Sequence, residues 1–261
     1  MGYYAAEKLK PWLYSLYDPQ NAYMYLLLGD KKALLYDTGN GTAPILPAIR
    51  EITDLPIEVV LGHGHLDHAN GAGQFDFVWI GGEDIELCTR HVSRTARRSV
   101  LEGIAKQGTA LPADFDAEAY IQNKGANLRA METGQIFDLG GIIARAVAME
   151  GHTRGSMGLL IEGERTLLCS DAVNHMVWMF LAESTTIAEY TAMLRRTMAL
   201  PFDTFFWAHE NTEYDKKEFK KFINTAENID INKTTPFEFT GREGLVYKDG
   251  QSGIIFSLDK M

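Results

Sequence analysis

An α/β fold is what this 261-residue sequence predicts. Apolar runs rich in β-branched and aromatic residues alternate along the chain with segments of helical spacing. A composition of 46% hydrophobic and 23% charged residues is that of an ordinary globular protein with a substantial core, not of a disordered chain. Four of the apolar runs also stop just before a side chain able to bind a metal, as strands of one sheet would if they delivered those groups to one edge. The length fits one long domain or two short ones, and we read residues 1–261 as one domain.

The first unit is NAYMYLLL, GDKK, ALLYDTG: two β-rich runs around a short Gly-containing turn, the pattern of a hairpin. Ile45, Leu46, Ile49 and Ile52 have helical spacing, and Ile57 to Leu61 reads as a short buried strand. IIARAVAM runs into Gly151 and His152, TLLCS into Asp171, and TFFWA into His209. Between about 83 and 133 the texture becomes helical, broken by GTALPADF, and is too short to form a good core alone; we read it as a helical insert able to act as a lid. Thr186 and Glu189 have capping-box spacing at the head of a helix striped by Ile187, Tyr190, Leu194 and Met198. The tail GLVYKDGQSGIIFSL reads as a closing hairpin with its turn at Asp249 and Gly250.

The stretch Val59 to Gly73, VVLGHGHLDHANGAG, crowds His63, His65, Asp67 and His68 into six positions. Imidazoles packed this closely repel one another as they take up protons, unless something holds them together. The pattern therefore points to a metal, and Gly62 and Gly64 would relax the backbone around it. Nitrogen and oxygen donors suit zinc, and also iron or manganese, whereas a thiolate site would need more than the two cysteines present, Cys88 and Cys169.

A formal charge of -10 gives no footprint for nucleic acid or an anionic membrane. The amino terminus has no uninterrupted apolar segment, no window reaches membrane-span length, and two cysteines suit a reducing compartment; the expected location is cytoplasmic. The expected partner is a small-molecule substrate, with no nucleic acid and no membrane, and the oligomeric state is left open to a homo-oligomer.

These motifs resemble those of the metallo-β-lactamase superfamily. GHGHLDH is similar to its first metal motif, GHTRGSMGLLI with His152 to its second, LLCSDAV with Asp171 to its third, FFWAHE with His209 to its last, and LLYDTG with Asp37 to an early supporting motif. The resemblance covers about Asn21 to Glu210. It implies an αββα sandwich with a metal centre at one edge of two sheets. It also implies that His63, His65 and His152 hold one metal, that Asp67, His68 and His209 hold a second, and that Asp171 bridges them, with two zinc ions as the expected pair. A true β-lactamase would keep Cys in place of the bridging Asp, and Cys169 lies two residues too early for that.

Water activated by such a pair would attack a small ester, thioester or lactone. A phosphodiesterase or ribonuclease of the same superfamily, or a noncatalytic metal-binding protein, are the alternatives. Asp67 is the candidate for orienting that water and moving a proton, or is a ligand only. Asp37 either holds a ligating imidazole or shapes its own turn. WAHENT is similar to a motif of hydroxyacylglutathione hydrolases, but Asn211 replaces a glutathione-contacting Tyr; acyl-homoserine lactonases place a Tyr where Asn174 stands, whose amide could still donate. For the substrate pocket the candidates are Asn174, His175, Trp178 and Phe180, with Met179 between the two aromatics, although aromatics are also ordinary core. Arg90, Arg94, Arg97 and Arg98 fall near one helical face, solvated or steering an anion, and His91 reads as a surface residue.

Overall fold

The structure is a computed structural model that describes residues 3–261. Strands β1 (Ala5–Lys10), β2 (Leu13–Tyr17), β3 (Tyr23–Leu28), β4 (Ala33–Tyr36), β5 (Ile57–Val60), β6 (Phe77–Gly81) and β7 (Asn127–Met131) lie side by side in chain order. The first four pair antiparallel, and β4 to β7 pair parallel. The expected first hairpin is β3–β4, with Leu28 opposite Ala33. Parallel pairing needs crossovers. Helix α1 (Ile45–Arg50) supplies the one between β4 and β5, burying Ile45 and Ile49 but leaving Leu46 at 36% exposure. A single turn, α2 (Leu66–Ala69), follows β5.

Beyond β6 come α3 (Ile85–His91), α4 (Arg94–Gln107) and α5 (Ala117–Gln122). The helical reading fails after Gln122: Asn127–Met131 is a strand, although Ala, Leu, Arg and Met all favour helix. Gly125, at φ 76°, turns the chain, and β7 then pairs with β6 from Asn127 to Met131. Sheet pairing and burial of Met131 override local propensity here.

The chain continues through β8 (Ile136–Asp138), β9 (Ile143–Ala148), β10 (Met157–Ile161), β11 (Thr166–Leu168), β12 (Met176–Met179), α6 (Ile187–Met198), β13 (Thr204–Phe206), β14 (Tyr214–Asp215), α7 (Lys216–Glu227), β15 (Thr235–Phe239), β16 (Arg242–Asp249) and β17 (Ser252–Phe256). A second sheet runs β14-β13-β11-β10-β9-β8, and a third runs β12-β17-β16-β15. The four donor-bearing strands are thus not in one sheet, as the sequence suggested. β5 belongs to the first, whereas β9, β11 and β13 belong to the second.

Why these strands are apolar nearly throughout follows from their alternation. Along β4, Leu34 and Tyr36 join a core shared with Leu159, Ile161, Leu168 and Phe206 of the second sheet, while Ala33 and Leu35 face the helical side with Ile45 and Ile49. On the second sheet, Leu160, Leu167 and Phe205 turn the other way, onto Tyr190 and Leu194 of α6 and Phe219 and Phe222 of α7. The central strands of the first two sheets are covered on both faces, so hydrophobicity runs on there without a polar alternate, whereas β1 at one edge stays exposed. The layers are helix, sheet, sheet, helix: the metallo-β-lactamase fold.

Thr186 caps α6 in a capping box, its Oγ1 accepting from Glu189 N (3.2 Å) while Glu189 Oε2 accepts from Thr186 N (2.8 Å). The tail hairpin closes one residue later than expected. Asp249 pairs with Ser252, leaving Gly250 and Gln251 as the loop, with Gly250 at φ 62°. Through β17 the tail pairs with β12, which begins five residues beyond Asp171. Among the described residues no helix is long and apolar enough to cross a membrane.

Candidate metal centre

Four strand ends converge. β5 delivers His63 and His65 in the loop beyond it and Asp67 and His68 in α2; the turns after β9, β11 and β13 carry His152, Asp171 and His209. Donor atoms of His63, His65 and His152 lie within 4.8 Å of one another, and so do those of Asp67, His68 and His209. In the first trio His65 Nδ1 stands 3.1 Å from His63 Nε2 and 2.8 Å from His152 Nε2. In the second, Asp67 Oδ2 is 3.6 Å from Nε2 of both His68 and His209. Asp171 lies between the trios: Oδ2 is 3.5 Å from His68 Nε2 and 3.8 Å from His152 Nε2, and Oδ1 is 3.3 Å from His209 Nε2. All seven sequence-predicted donors are therefore in one cluster.

Each imidazole is oriented through its other nitrogen, as ligating histidines usually are. His152 Nδ1 donates to the Trp178 carbonyl and His209 Nδ1 to the Asn21 carbonyl, both at 2.8 Å. A carbonyl only accepts, so in the neutral ring each Nε2 is the nitrogen that keeps its lone pair. Asp37 Oδ2 meets His68 Nδ1 at 2.9 Å and accepts from Ser170 Oγ at 2.8 Å, while Ser170 Oγ lies 3.3 Å from His63 Nδ1; Asp37 Oδ1 accepts from Gly62 N at 2.7 Å. Ser170 had no signal of its own beyond preceding Asp171.

Asp37, Ser170 and His209 have φ of 67°, 47° and 72°, conformations that cost a non-glycine residue about 1–3 kcal/mol each. Such strain gathers where a structure over-determines side-chain direction. Gly62 and Gly64 are another matter: neither has positive φ, so the expected backbone freedom is not their role. A Cβ on Gly62 would meet Ser170 Oγ at 2.6 Å, and one on Gly64 would meet Cys88 N at 2.8 Å. Close packing demands them.

The electrostatics divide the two trios. Burial first, then the neighbouring histidines, push His63 well below the ordinary imidazole range; burial and His65 push His152 down to about 4. Burial opposes protonation of His68 as well, but Asp67, Asp37 and Asp171 outweigh it and carry His68 up. Burial likewise works against His209, yet Asp171 and Asp67 raise it to about 9. Neutral His63 and His152 on one side and three carboxylates calling for positive charge on the other suit cations. His68 Nε2 and Asp171 Oδ1 are buried with no hydrogen-bond partner, a state that costs about 1–3 kcal/mol per group unless a ligand satisfies it. The donor set fits two divalent ions held by nitrogen and oxygen.

Two acids that sequence reasoning missed support the centre. Asp84, buried at the head of α3, accepts from Gly64 N and Gly155 N (both 2.8 Å) and from Thr153 Oγ1 (2.7 Å), joining the His63–His68 loop to the loop after His152. Glu183 Oε1 lies 2.9 Å from His65 Nε2, so His65 gives its proton there and keeps Nδ1 for the first trio. Nothing local marks Glu183, which sits between β12 and α6. Glu183→Gln is expected to weaken metal binding at the first trio by about 10- to 100-fold. Chelator competition on the purified variant measures this, and unchanged affinity would show that His65 needs no such partner.

Other residues differ from their sequence reading. His91 is not a surface histidine: it is half-buried on α3, its ring stacked on His65 (centroids 4.9 Å apart, 22° between planes), and burial first, then His65, push it down to about 4. Arg97 is not part of a solvated face. It is fully buried, donating to the carbonyls of Val92 and Asn70 and lying over the Tyr120 ring, while Arg90, Arg94 and Arg98 stay exposed. A cavity of about 540 Å³ adjoins the donors, walled by Asn174, His175, Met176, Trp178, Trp207 and Glu210. Phe180 is not in its lining; it sits behind Trp178 (5.4 Å) against Leu181 and Ile255. Met179 points from the opposite face of β12 into the core with Val177. Asn211 is spent elsewhere, donating to Glu7.

The sequence pattern of the metallo-beta-lactamase superfamily matches residues 17–209. Among solved structures, a metallo-beta-lactamase from Pontibacter korlensis is 15% identical with a TM-score of 0.56, covering 87% of this chain and 100% of that one. The stereoselective inverting sec-alkylsulfatase Pisa1 from Pseudomonas sp. is 14% identical with a TM-score of 0.63, over 85% of this chain but 41% of its own. TTHA1623, solved in a di-iron-bound form, is 18% identical with a TM-score of 0.55, over 82% and 95%. At such identities the likeness is one of fold. No curated protein matches the sequence.

Proposed function

Since this chain belongs to the metallo-β-lactamase superfamily, we propose that it is a dinuclear, zinc-dependent hydrolase of small esters, thioesters or lactones. The observation that carries the reading is the pair of donor trios sharing Asp171 at the wall of one cavity. His63, His65 and His152 would hold one ion, and Asp67, His68 and His209 the other, with Asp171 common to both. When bound, two divalent cations supply Lewis acidity toward water and toward a carbonyl oxygen.

The chain's own residues do the rest. Asp67 lines the cavity with its side chain 34% exposed, where its carboxylate would orient a water and pass the proton on to the leaving group. Asn174 Oδ1 accepts from Met176 N at 2.8 Å, which pins the amide and turns its NH₂ to other work; facing the cavity, that group would donate to the oxyanion of a tetrahedral intermediate. Met176 and Trp178 provide an apolar wall for the acyl part. No Lys or Arg lines the cavity among the described residues, which weighs against a phosphodiester substrate.

Zinc-reconstituted protein is expected to carry about two equivalents of metal and to cleave members of a panel of acyl lactones, thioesters and aryl esters ahead of bis(4-nitrophenyl) phosphate. Elemental analysis and initial rates test this. Trace metal only, or turnover confined to the phosphodiester, overturns it.

A further inference from the structure

The cavity wall beside His209 carries a charge that the hydrolytic reading does not use. Glu210, the residue after His209, lines the cavity and is held from several sides. Its Oε1 accepts from Tyr214 Oη (2.9 Å), its Oε2 from Thr212 Oγ1 (3.2 Å), and its carbonyl from Tyr25 Oη (2.9 Å). Tyr214 is itself fixed, stacked on Trp207 with centroids 3.9 Å apart and 19° between planes. A long, flexible carboxylate has thus been immobilised at the rim. Among the described residues its only partner in ion-pair range is His175, at 3.7 Å; no Lys or Arg approaches it. The same cavity is lined by Trp178, half-buried, its ring backed by Phe180 and by Phe239 of β15 (centroids 5.4 and 4.8 Å away).

An anchored carboxylate and an aromatic face in one cavity recognise an alkylammonium group, by charge and by cation–π attraction. A carboxylate at the same end of the substrate would be repelled by Glu210, which has only the His175 imidazole beside it. The net charge of -10 also favours approach of cations. We propose that Glu210 is a specificity-determining residue and that the substrate carries a protonated or quaternary amine at its non-reacting end. This rests on the hydrolytic reading for the word substrate, but the recognition itself can be measured apart from turnover.

Two measurements on zinc-loaded protein test it. In the first, choline and its uncharged isostere 3,3-dimethylbutan-1-ol are titrated against tryptophan fluorescence, with Trp178→Phe identifying the reporter. Choline is expected to bind about tenfold tighter, and Glu210→Gln to abolish most of that advantage while Glu210→Asp restores part of it. Equal binding, no binding of either, or an advantage that survives in Glu210→Gln overturns the proposal. In the second, kcat/KM is compared for acetate esters ending in trimethylammonium, tert-butyl or carboxylate. The order is expected to fall in that sequence, with the ammonium-to-carboxylate ratio collapsing in Glu210→Gln through KM. A ratio at or below one, or one indifferent to Glu210→Gln, counts against it. If no ester is cleaved while choline keeps its advantage, the hydrolytic reading fails and the recognition stands.

Discussion

Asp171→Ala is expected to reduce the metal content of zinc-reconstituted protein from about two equivalents to one or fewer and to lower kcat/KM by about a thousandfold or more, about 4 kcal/mol of transition-state stabilisation. The reason lies in its position. Its two oxygens face His68, His152 and His209, that is, members of both trios, at 3.3–3.8 Å. In the proposed dinuclear centre, removing the carboxylate would take a donor from both ions at once and would leave less negative charge between them. Zinc should also lose much of its ability to raise the melting temperature, since stabilisation by a ligand follows its affinity. Elemental analysis, initial rates and melting with and without zinc measure the three effects, and circular dichroism checks the fold. A variant with full metal content and near-normal turnover would remove the shared-carboxylate arrangement from the mechanism.

The largest effect on stability is expected away from the donors, at Asp84. Asp84→Ala leaves the amides of Gly64 and Gly155 buried without an acceptor, while Thr153 Oγ1 can still turn to Ser156 Oγ at 2.7 Å. At about 1–3 kcal/mol for each of the two orphaned donors, the loss is about 2–6 kcal/mol. The melting temperature should drop by roughly 10 °C on the usual scaling for a domain of this size. Asp84→Asn should lie between, since one oxygen remains but an NH₂ must face one of the former donors. Because the two loops joined by Asp84 carry His63 to His68 on one side and follow His152 on the other, zinc affinity should fall with stability. Melting and zinc titration identical to the parent protein would show that each loop holds its shape alone.

Asp84 also illustrates what could not be read along the chain. Its partners lie twenty residues before it and about seventy after it, on loops from different sheets. Glu183, Ser170 and Glu210 are similar: a lone acid or serine in a loop has no periodicity and no spacing rule, so only contact reveals its work. His91 and Arg97 were misjudged for the converse reason. On a helix whose neighbours are unknown, a polar side chain reads as solvated, yet packing against His65 and against Asn70 and Tyr120 buries both. Strand β7 was misread because local propensity favours helix and only pairing with β6 makes it a strand.

The set of clustered donor side chains and the family, by contrast, were legible from the start. The spacing His63, His65, Asp67, His68 is local, and the apolar runs before His152, Asp171 and His209 are short enough to be strands, so both could be recognised without knowing what packs where. By itself the sequence determined which side chains can be donors and that strands end beside them, because composition and periodicity act over a few residues. Only the tertiary structure decided that those strands belong to two sheets, which atoms of each imidazole face inward, and which acids and aromatics wall the cavity. Those facts depend on contacts between segments tens to hundreds of residues apart, and no pattern along the chain encodes them.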